Sequence, residues 1–168
     1  MTAISQAELA ARLAQVRLLA LDVDGVLTDG GLYYTESGEV LRRFNIKDGQ
    51  GLKLLMQAGI EVAIITAKSS LSTLQRMKDL GIAHTYQGVE DKLAILKELC
   101  EKLGLSLSQV AYAGDDVNDL EVMHSVGCPL TVADAMPANQ ACALYVTQLP
   151  GGQGAVREIC TLLLQFCS

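Results

Sequence analysis

Two clusters of carboxylates in this 168-residue chain each come directly after a short apolar run. Asp22 and Asp24 follow the run L-L-A-L and precede Gly25, and the later segment G-D-D-V-N-D, residues 114–119, follows V-A-Y-A. Continuous apolar runs are typical of buried parallel strands, and ligands of open α/β sheets bind outside the carboxyl ends of such strands. Carboxylate oxygens are ligands that Mg²⁺ prefers, so the two clusters indicate a hard cation and a phosphorylated substrate.

The rest of the chain predicts the elements that would position these clusters. Strands are expected at about residues 16–23, 61–66, 84–86, 110–113, 130–132 and 145–147. Helices are expected at about residues 6–14, 49–59, 70–80, 92–103, 120–123 and 155–166. Residues 30–45 contain two short β segments around an E-S-G turn, which predicts a hairpin flap. Alternating strands and helices predict an α/β fold with a doubly wound parallel sheet, in a single domain over residues 1–168 with a C-terminal tail at about 150–168.

The composition argues against several classes of protein and partner. Half of the residues are hydrophobic and 19% are charged, so a disordered chain is not expected. The net charge of −6 argues against nucleic acid and anionic membranes as partners. No apolar run reaches the ~18 residues of a membrane span. The five cysteines show no C-x-x-C spacing, which predicts reduced thiols in a cytoplasmic protein.

The spacing around Asp24 excludes common binding loops. An isolated Asp-Gly pair is typical of a turn, and that interpretation would hold for Asp24 and Gly25 alone. An EF-hand loop starting at Asp22 needs glycine at its sixth position and an acid at its twelfth, which here is Tyr33. The chain has no G-x-x-x-x-G-K-[ST] sequence, and G-Q-G at residues 49–51 lacks the third glycine of a dinucleotide fingerprint.

Four motifs, in order, resemble those of the haloacid dehalogenase superfamily. The segment D-V-D-G-V-L-T-D at residues 22–29 is similar to its first motif, and I-I-T ending at Thr66 is similar to its second. Lys92 opens a helix as in the third motif, and G-D-D-x-x-D at residues 114–119 is similar to the fourth. The resemblance implies a Rossmann-like fold and a Mg²⁺-dependent phosphatase.

The resemblance also implies a role for each matching residue. Asp22 would be the nucleophile that forms an aspartyl-phosphate and, together with Asp115, a side-chain ligand of Mg²⁺. Asp24 would give its backbone carbonyl to the metal and act through its side chain as general acid and then general base. Thr66 would hydrogen-bond the transferring phosphoryl group, and Lys92 would balance its charge.

Two further acids, Asp116 and Asp119, follow the second apolar run. They would hold the direct metal ligands in place without binding the metal themselves. The alternative from the residues alone is that both are helix-start acids favoured by the helix dipole.

The whole chain resembles the small, cap-less branch of the superfamily typified by 3-deoxy-D-manno-octulosonate 8-phosphate phosphatases. The intervals from Asp24 to Thr66 and from Thr66 to Lys92 are too short for a cap domain. The flap, F-N-I-K-D-G-Q-G-L at residues 44–52 and G-G-Q-G-A-V-R-E at residues 151–158 all fit this branch. It implies a homotetramer with centrally assembled flaps, a tail that reaches a neighbouring site, and a role in lipopolysaccharide precursor synthesis.

The implied substrate is a small phosphorylated sugar acid, most simply 3-deoxy-D-manno-octulosonate 8-phosphate. Its predicted contacts are Lys47, Asp48, Lys68, Gly152 and Arg157. The family usually has Gly-Arg after the Ser or Thr of the second motif, whereas this chain has A-K at residues 67–68. Arg binds a carboxylate bidentately and Lys only as a point charge, so this departure leaves the identity of the sugar acid open. The alternative substrate is 2-keto-3-deoxynononate 9-phosphate.

Two other function classes stay open from the residues alone. A phosphoacceptor signalling domain also uses a doubly wound sheet, an aspartate and a lysine, but it places an adjacent acidic pair early in the chain. A catalytically silent binding module is the second alternative. The intact acids, together with Thr66 and Lys92, argue against it.

Overall fold

The computed structural model describes residues 5–166, in which strands and helices alternate along the chain. The strands are β1 (Leu18–Leu21), β2 (Tyr33–Tyr34), β3 (Val40–Leu41), β4 (Glu61–Ile65), β5 (His84–Tyr86), β6 (Val110–Ala113), β7 (Cys128–Thr131) and β8 (Tyr145–Val146). The helices are α1 (Gln6–Ala14), α2 (Ile46–Gln57), α3 (Leu71–Leu80), α4 (Lys92–Leu103), α5 (Leu120–Ser125), α6 (Pro137–Cys142) and α7 (Ala155–Leu164). Short 3₁₀ turns, Leu107–Gln109 and Val117–Asp119, precede β6 and α5.

Six strands form one parallel sheet in the order β5-β4-β1-β6-β7-β8. The central strand β1 places Leu21 opposite Ile64 of β4 and opposite Ala113 of β6. The chain leaves these three strands at the same edge of the sheet, so the residues that follow them are neighbours in space. This arrangement confirms the predicted doubly wound α/β fold.

Helices cover both faces of this sheet. Side chains of a strand alternate between its faces, and β1 therefore contributes to two cores. Leu19 and Leu21 pack with α1, α2, α3 and α7, whereas Leu18 and Ala20 pack with α4, α5 and α6. All four side chains are 0% exposed. Burial on both faces is the physical reason for the uninterrupted apolar run in the sequence.

Local capping chemistry sets several helix ends close to where the sequence predicts them. The Ser5 hydroxyl accepts the Glu8 amide at 3.1 Å and caps α1. Helices α3 and α4 end at Gly81 and Gly104, whose φ angles of +75° and +67° are in the left-handed region that favours glycine.

Two helices differ from the prediction by more than two residues at an end or in their presence. Helix α2 begins at Ile46, ahead of the predicted start, because the Asn45 side chain accepts the Lys47 amide at 2.8 Å and caps it there. Helix α6 was not predicted; it has only six residues, and Pro137 occupies its first turn. Within residues 5–166, every helix is too short or too polar to cross a bilayer.

The predicted flap is present as the antiparallel hairpin of β2 and β3. An isolated bridge between Thr28 and Phe44 joins its base to the body of the protein. Its apolar side chains are largely exposed, with Tyr33 at 56%, Tyr34 at 70% and Leu41 at 51%. The flap therefore presents an apolar surface that its own chain does not cover.

The glycine-rich segment before α7 packs against the turn that follows β1 in the same chain. The Gly152 amide donates to the Val26 carbonyl at 3.0 Å, and the Gly151 amide donates to the Asp134 carboxylate at 2.9 Å. A Cβ at either glycine would overlap the backbone of residues 25–29. This part of the tail is therefore buried against the rest of its own chain, and residues 167–168 of the predicted tail lie outside the described residues.

Candidate active site

The candidate site lies at the carboxyl edge of the sheet, where β1, β4 and β6 end. Asp22 continues β1 because its amide donates to the Ala113 carbonyl at 3.0 Å. Thr66 continues β4 in the same way, with its amide 3.0 Å from the Tyr86 carbonyl. These ladder bonds fix the backbone at the points where both side chains leave the sheet.

Lys92, the first residue of α4, lies within a buried cluster of charges. Its Nζ atom is 3.1 Å from Asp22 Oδ2 and 2.7 Å from Asp119 Oδ1, and its side chain is 2% exposed. Burial disfavours the ammonium, but the carboxylates of Asp22 and Asp119 outweigh this effect and raise the pKa of Lys92. The lysine is therefore charged throughout the neutral pH range.

Asp119 is 0% exposed and uses both of its carboxylate oxygens within the protein. Its Oδ1 accepts from Lys92 and from the Tyr112 hydroxyl, the latter at 2.6 Å. Its Oδ2 accepts the backbone amides of Asp115 and Asp116 at 3.0 and 3.4 Å. Burial and the Asp119 charge raise the pKa of Tyr112 well above its usual range, so the phenol stays a donor. Asp119 thus fixes Lys92 and the loop after β6.

Carboxylate oxygens of Asp22, Asp115 and Asp119 all lie within 4.8 Å of one another. Gly25 allows this close approach, since its φ is +87° and a Cβ there would overlap the Asp115 carboxylate. Of the three acids, Asp22 and Asp115 line the open cavity, while Asp119 is behind them. The direct ligands available to a cation are therefore the carboxylates of Asp22 and Asp115.

The electrostatics of this cluster fit a divalent cation. Three carboxylates and the single ammonium of Lys92 leave two negative charges in a mostly buried space. Burial, followed by the charge of Asp119, raises the pKa of Asp22 to about 6. Burial, followed by the charge of Asp22, raises the pKa of Asp115 to about 7. A hard dication with oxygen ligands would neutralise the excess charge, so the residues present fit Mg²⁺.

Two cavities meet at Asp24. The smaller one, of about 220 Å³, is lined by Asp22, Asp24, Thr66, Ala67, Lys68, Asp115, Asp116 and Asn118. The larger one, of about 400 Å³, extends under the flap and is lined by Asp24, Gly30, Leu32, Tyr34, Val40, Arg42, Lys68 and Ser69. Of the residues that the structure describes, only Asp24 and Lys68 line both cavities. The small cavity suits a phosphoryl group beside the acids, and the larger one suits the organic part of its ester.

Three side chains that donate hydrogen bonds to these acids were not predicted from the sequence. Arg42 of the flap donates from Nε to Asp24 Oδ1 at 2.7 Å. Tyr112 donates its hydroxyl to Asp119, and Asn139 donates its amide to the Asp116 carbonyl at 2.8 Å. Arg42 and Asn139 are far from the acids in sequence and have no motif around them. For Tyr112 a signal existed, since a polar group in an otherwise apolar strand needs a buried partner.

The residues predicted to contact the sugar acid do not all meet in these cavities. Lys68 lines both, whereas Lys47 is an exposed side chain in the first turn of α2. Asp48 is 1% exposed and accepts the Arg157 amide at 2.8 Å, so it caps α7. Burial raises the pKa of Asp48. Gly152 is buried against the turn after β1. The contacts described for Asp48, the Arg157 amide and Gly152 are therefore with other segments of the same chain. None of these three residues lines either cavity.

Comparison with known proteins gives a consistent set of relatives. A family model of haloacid dehalogenase-like hydrolases matches residues 86–159. The 3-deoxy-D-manno-octulosonate 8-phosphate phosphatase of Escherichia coli strain K12 is 48% identical over 158 residues, which make up 94% of this chain and 84% of that protein.

Solved structures of similar proteins share the whole fold. The 3-deoxy-D-manno-octulosonate 8-phosphate phosphatase of Moraxella catarrhalis, in complex with magnesium ion, phosphate ion and KDO, superposes with a TM-score of 0.94 at 41% identity. The match covers 96% of this chain and 93% of that one. The cobalt-bound phosphatase of Haemophilus influenzae has a TM-score of 0.89 at 37% identity and covers 92% and 91% of the two chains.

Proposed function

Because the chain belongs to the haloacid dehalogenase-like hydrolases, and among them to the 3-deoxy-D-manno-octulosonate 8-phosphate phosphatases, we propose that it hydrolyses this ester to KDO and phosphate. It is a phosphoric monoester hydrolase, and its place is in the synthesis of a lipopolysaccharide precursor. The observation that carries the proposal is the convergence of five side chains at one edge of the sheet: Asp22, Asp24, Thr66, Lys92 and Asp115.

Asp22 is the nucleophile in the proposed reaction. One of its carboxylate oxygens forms a bond to phosphorus while the bond from phosphorus to the sugar oxygen breaks, which leaves an aspartyl-phosphate. Lys92, 3.1 Å from this carboxylate, holds it in place and offsets the negative charge of the phosphoryl oxygens. Thr66 lines the same cavity, where its hydroxyl donates to one of those oxygens.

Asp22 and Asp115 would hold Mg²⁺, and the backbone carbonyl of Asp24 is proposed as the third protein ligand. The bound ion supplies positive charge that lets an anionic carboxylate approach an anionic phosphate ester. Asp119 keeps the Asp115 amide in place from behind, and Asp116 lines the rim of the cavity.

Asp24 moves the protons of both steps. In the first step it acts as general acid and gives a proton to the sugar oxygen as that oxygen leaves phosphorus. As a carboxylate, it then takes a proton from the water that attacks the aspartyl-phosphate. The bond from phosphorus to Asp22 breaks, phosphate departs, and both aspartates return to their starting states. The position of Asp24 between the two cavities supports this assignment.

The test is phosphate release from 3-deoxy-D-manno-octulosonate 8-phosphate with Mg²⁺ and with excess EDTA. We expect turnover only with Mg²⁺, and loss of turnover in Asp22→Asn, whose shape is nearly unchanged. Activity that survives in Asp22→Asn, or in EDTA, would contradict the mechanism. An ordinary hexose phosphate is the control for selectivity.

The same assay includes 2-keto-3-deoxynononate 9-phosphate. Lys68 lines the cavity for the organic part of the substrate, and it stands where the family usually has arginine. A higher kcat/KM for the nononate ester would assign the chain to that substrate and overturn the choice of the octulosonate.

We propose in addition that the chain acts as a single domain and assembles as a homotetramer through its flaps. Exposed Tyr33, Tyr34 and Leu41 support this, because an apolar patch of this kind is typical of an interface. Light scattering coupled to gel filtration should give four times the monomer mass of 17.9 kDa. A monomer would refute the assembly but not the chemistry.

We propose that the protein acts in the cytoplasm. Cys100, Cys128, Cys142 and Cys160 are free and buried, which fits a reducing compartment.

A further inference from the structure

Arg42 forms the one charged contact between the flap and an acid of the catalytic pair Asp22 and Asp24. Its Nε is 2.7 Å from Asp24 Oδ1 and its Nη2 is 3.4 Å from Asp24 Oδ2. The Arg42 side chain is 7% exposed and that of Asp24 is 28% exposed. An ion pair this sheltered from water restricts side-chain rotation more than one in open solvent.

Asp24 depends on this contact more than the neighbouring acids depend on any single partner. The Asp22 carboxylate is held by the Val23 amide and by Lys92, and Asp119 accepts from four donors. Among residues 5–166, Arg42 supplies the hydrogen bonds that the Asp24 side chain receives. Without Arg42, the carboxylate would rotate between the two cavities.

We propose that Arg42 is a positioning residue for Asp24, an inference that rests on the proposed function. The short bond from Nε ties Oδ1, and the longer contact leaves Oδ2 as the oxygen that gives and takes the proton. Arg42 transfers no proton itself. The proton passes from Asp24 to the leaving sugar oxygen in the first step and from water back to Asp24 in the second.

A consequence is that acid–base catalysis depends on the position of the flap. Arg42 follows β3 directly, so the hairpin must lie over the larger cavity for the guanidinium to reach Asp24. The flap would thus contribute a functional group to the reaction besides covering the substrate.

Comparison of two leaving groups tests the proposal. An alkyl phosphate such as the sugar-acid ester needs a proton on its leaving oxygen, whereas p-nitrophenolate leaves p-nitrophenyl phosphate without one. The quantity measured is kcat/KM, which covers the steps up to formation of the aspartyl-phosphate. We expect Arg42→Gln to lower kcat/KM for the alkyl ester at least tenfold and for the aryl ester less than threefold. Arg42→Lys, which restores one donor, should recover part of the loss.

Arg43 provides the matched control. It is the next residue of the flap, its side chain is 59% exposed, and its Nη1 is 3.6 Å from Asp29 Oδ2. Arg43→Gln should leave the ratio of alkyl to aryl kcat/KM within twofold of the wild type. Circular dichroism and the thermal midpoint establish that each variant is folded.

Several outcomes would overturn the positioning role. An equal loss for both esters would mean that Arg42 stabilises the site as a whole. A higher KM with unchanged kcat for the sugar acid alone would mean that Arg42 binds the substrate carboxylate. If the wild type hydrolyses another alkyl phosphate but not the sugar acid, the proposed substrate fails, and the same ratio measured on that alkyl ester still decides the role of Arg42.

Discussion

Raising the pH from 5 to 8 in the presence of EDTA should destabilise the folded protein. The pKa of Asp22 is raised to about 6 and that of Asp115 to about 7, whereas carboxyls of the unfolded chain titrate near 3.9. Between these values the folded state binds more protons than the unfolded state. The stability that these two carboxyls contribute is therefore present at low pH, and the free energy of unfolding falls as the pH rises through 6 and 7.

The expected loss follows from the size of the two shifts. One pKa unit corresponds to about 1.4 kcal/mol, and integration from pH 5 to pH 8 gives about 1 kcal/mol for Asp22 and about 2–3 kcal/mol for Asp115. Because the two carboxylates repel each other, each raises the pKa of the other, and adding the two contributions counts this repulsion twice. We therefore expect a total loss of unfolding free energy of about 3 kcal/mol. For a domain of this size, that loss lowers the thermal midpoint by about 6–12 °C.

The assay is thermal unfolding at pH 5, 6, 7 and 8 in EDTA and again in Mg²⁺. Mg²⁺ should restore the midpoint at pH 8 and have little effect at pH 5, where protons occupy its ligands. Asp115→Asn removes the larger contribution, so its midpoint in EDTA should vary much less with pH and should not respond to Mg²⁺. A wild-type midpoint in EDTA that stays constant or rises towards pH 8 would refute the reasoning, as would an unchanged slope in Asp115→Asn.

Three further substitutions, the last with a matched surface control, test the backbone, a buried hydrogen bond and core packing. Gly25→Ala should reduce turnover at least 100-fold and abolish the Mg²⁺-induced midpoint shift, because its Cβ would overlap the Asp115 carboxylate; an active variant that still binds Mg²⁺ would contradict this. Tyr112→Phe should cost about 1–3 kcal/mol in urea unfolding, since it takes a donor from a buried carboxylate, and an unchanged stability would argue against that bond. Leu96→Ala, at a 0% exposed position of α4, should cost about 2–5 kcal/mol, whereas Leu71→Ala at 85% exposure should cost less than about 0.5 kcal/mol; equal costs would mean that α4 is not packed as described.

The order and type of most elements could be read from local sequence. A strand buried on both faces must be apolar throughout, so the run from Leu18 to Leu21 was visible without a structure. Gly81 and Gly104 end helices through their own φ angles, and Ser5 caps α1 through its own side chain. The candidate acids could be recognised for a related reason. A carboxylate at the end of a buried apolar strand lowers the stability of the fold unless it binds a cation or a hydrogen-bond donor.

Other features depended on which segments the fold brings together. The substrate contact of Asp48 came from a sequence resemblance and stays a prediction. Close packing of α2 against α7 buries this side chain, which accepts the Arg157 amide. Gly152 was predicted as a substrate contact in a tail that reaches a neighbouring site, which stays a prediction. Close backbone approach buries this glycine beneath the turn after β1. Neither contact has a local signal, since each joins residues more than 100 positions apart.

By itself, the sequence determined the strands of the sheet, most of the helices and the acids at the sheet edge, because those features depend on burial periodicity and backbone conformation within a few residues. The tertiary structure decided which pairs of charged side chains are in direct contact. Arg42 reaches Asp24 from a flap 18 positions away, and Lys92 lies between Asp22 and Asp119. Electrostatic interactions act through space at distances of a few ångströms, and only the folded chain sets those distances.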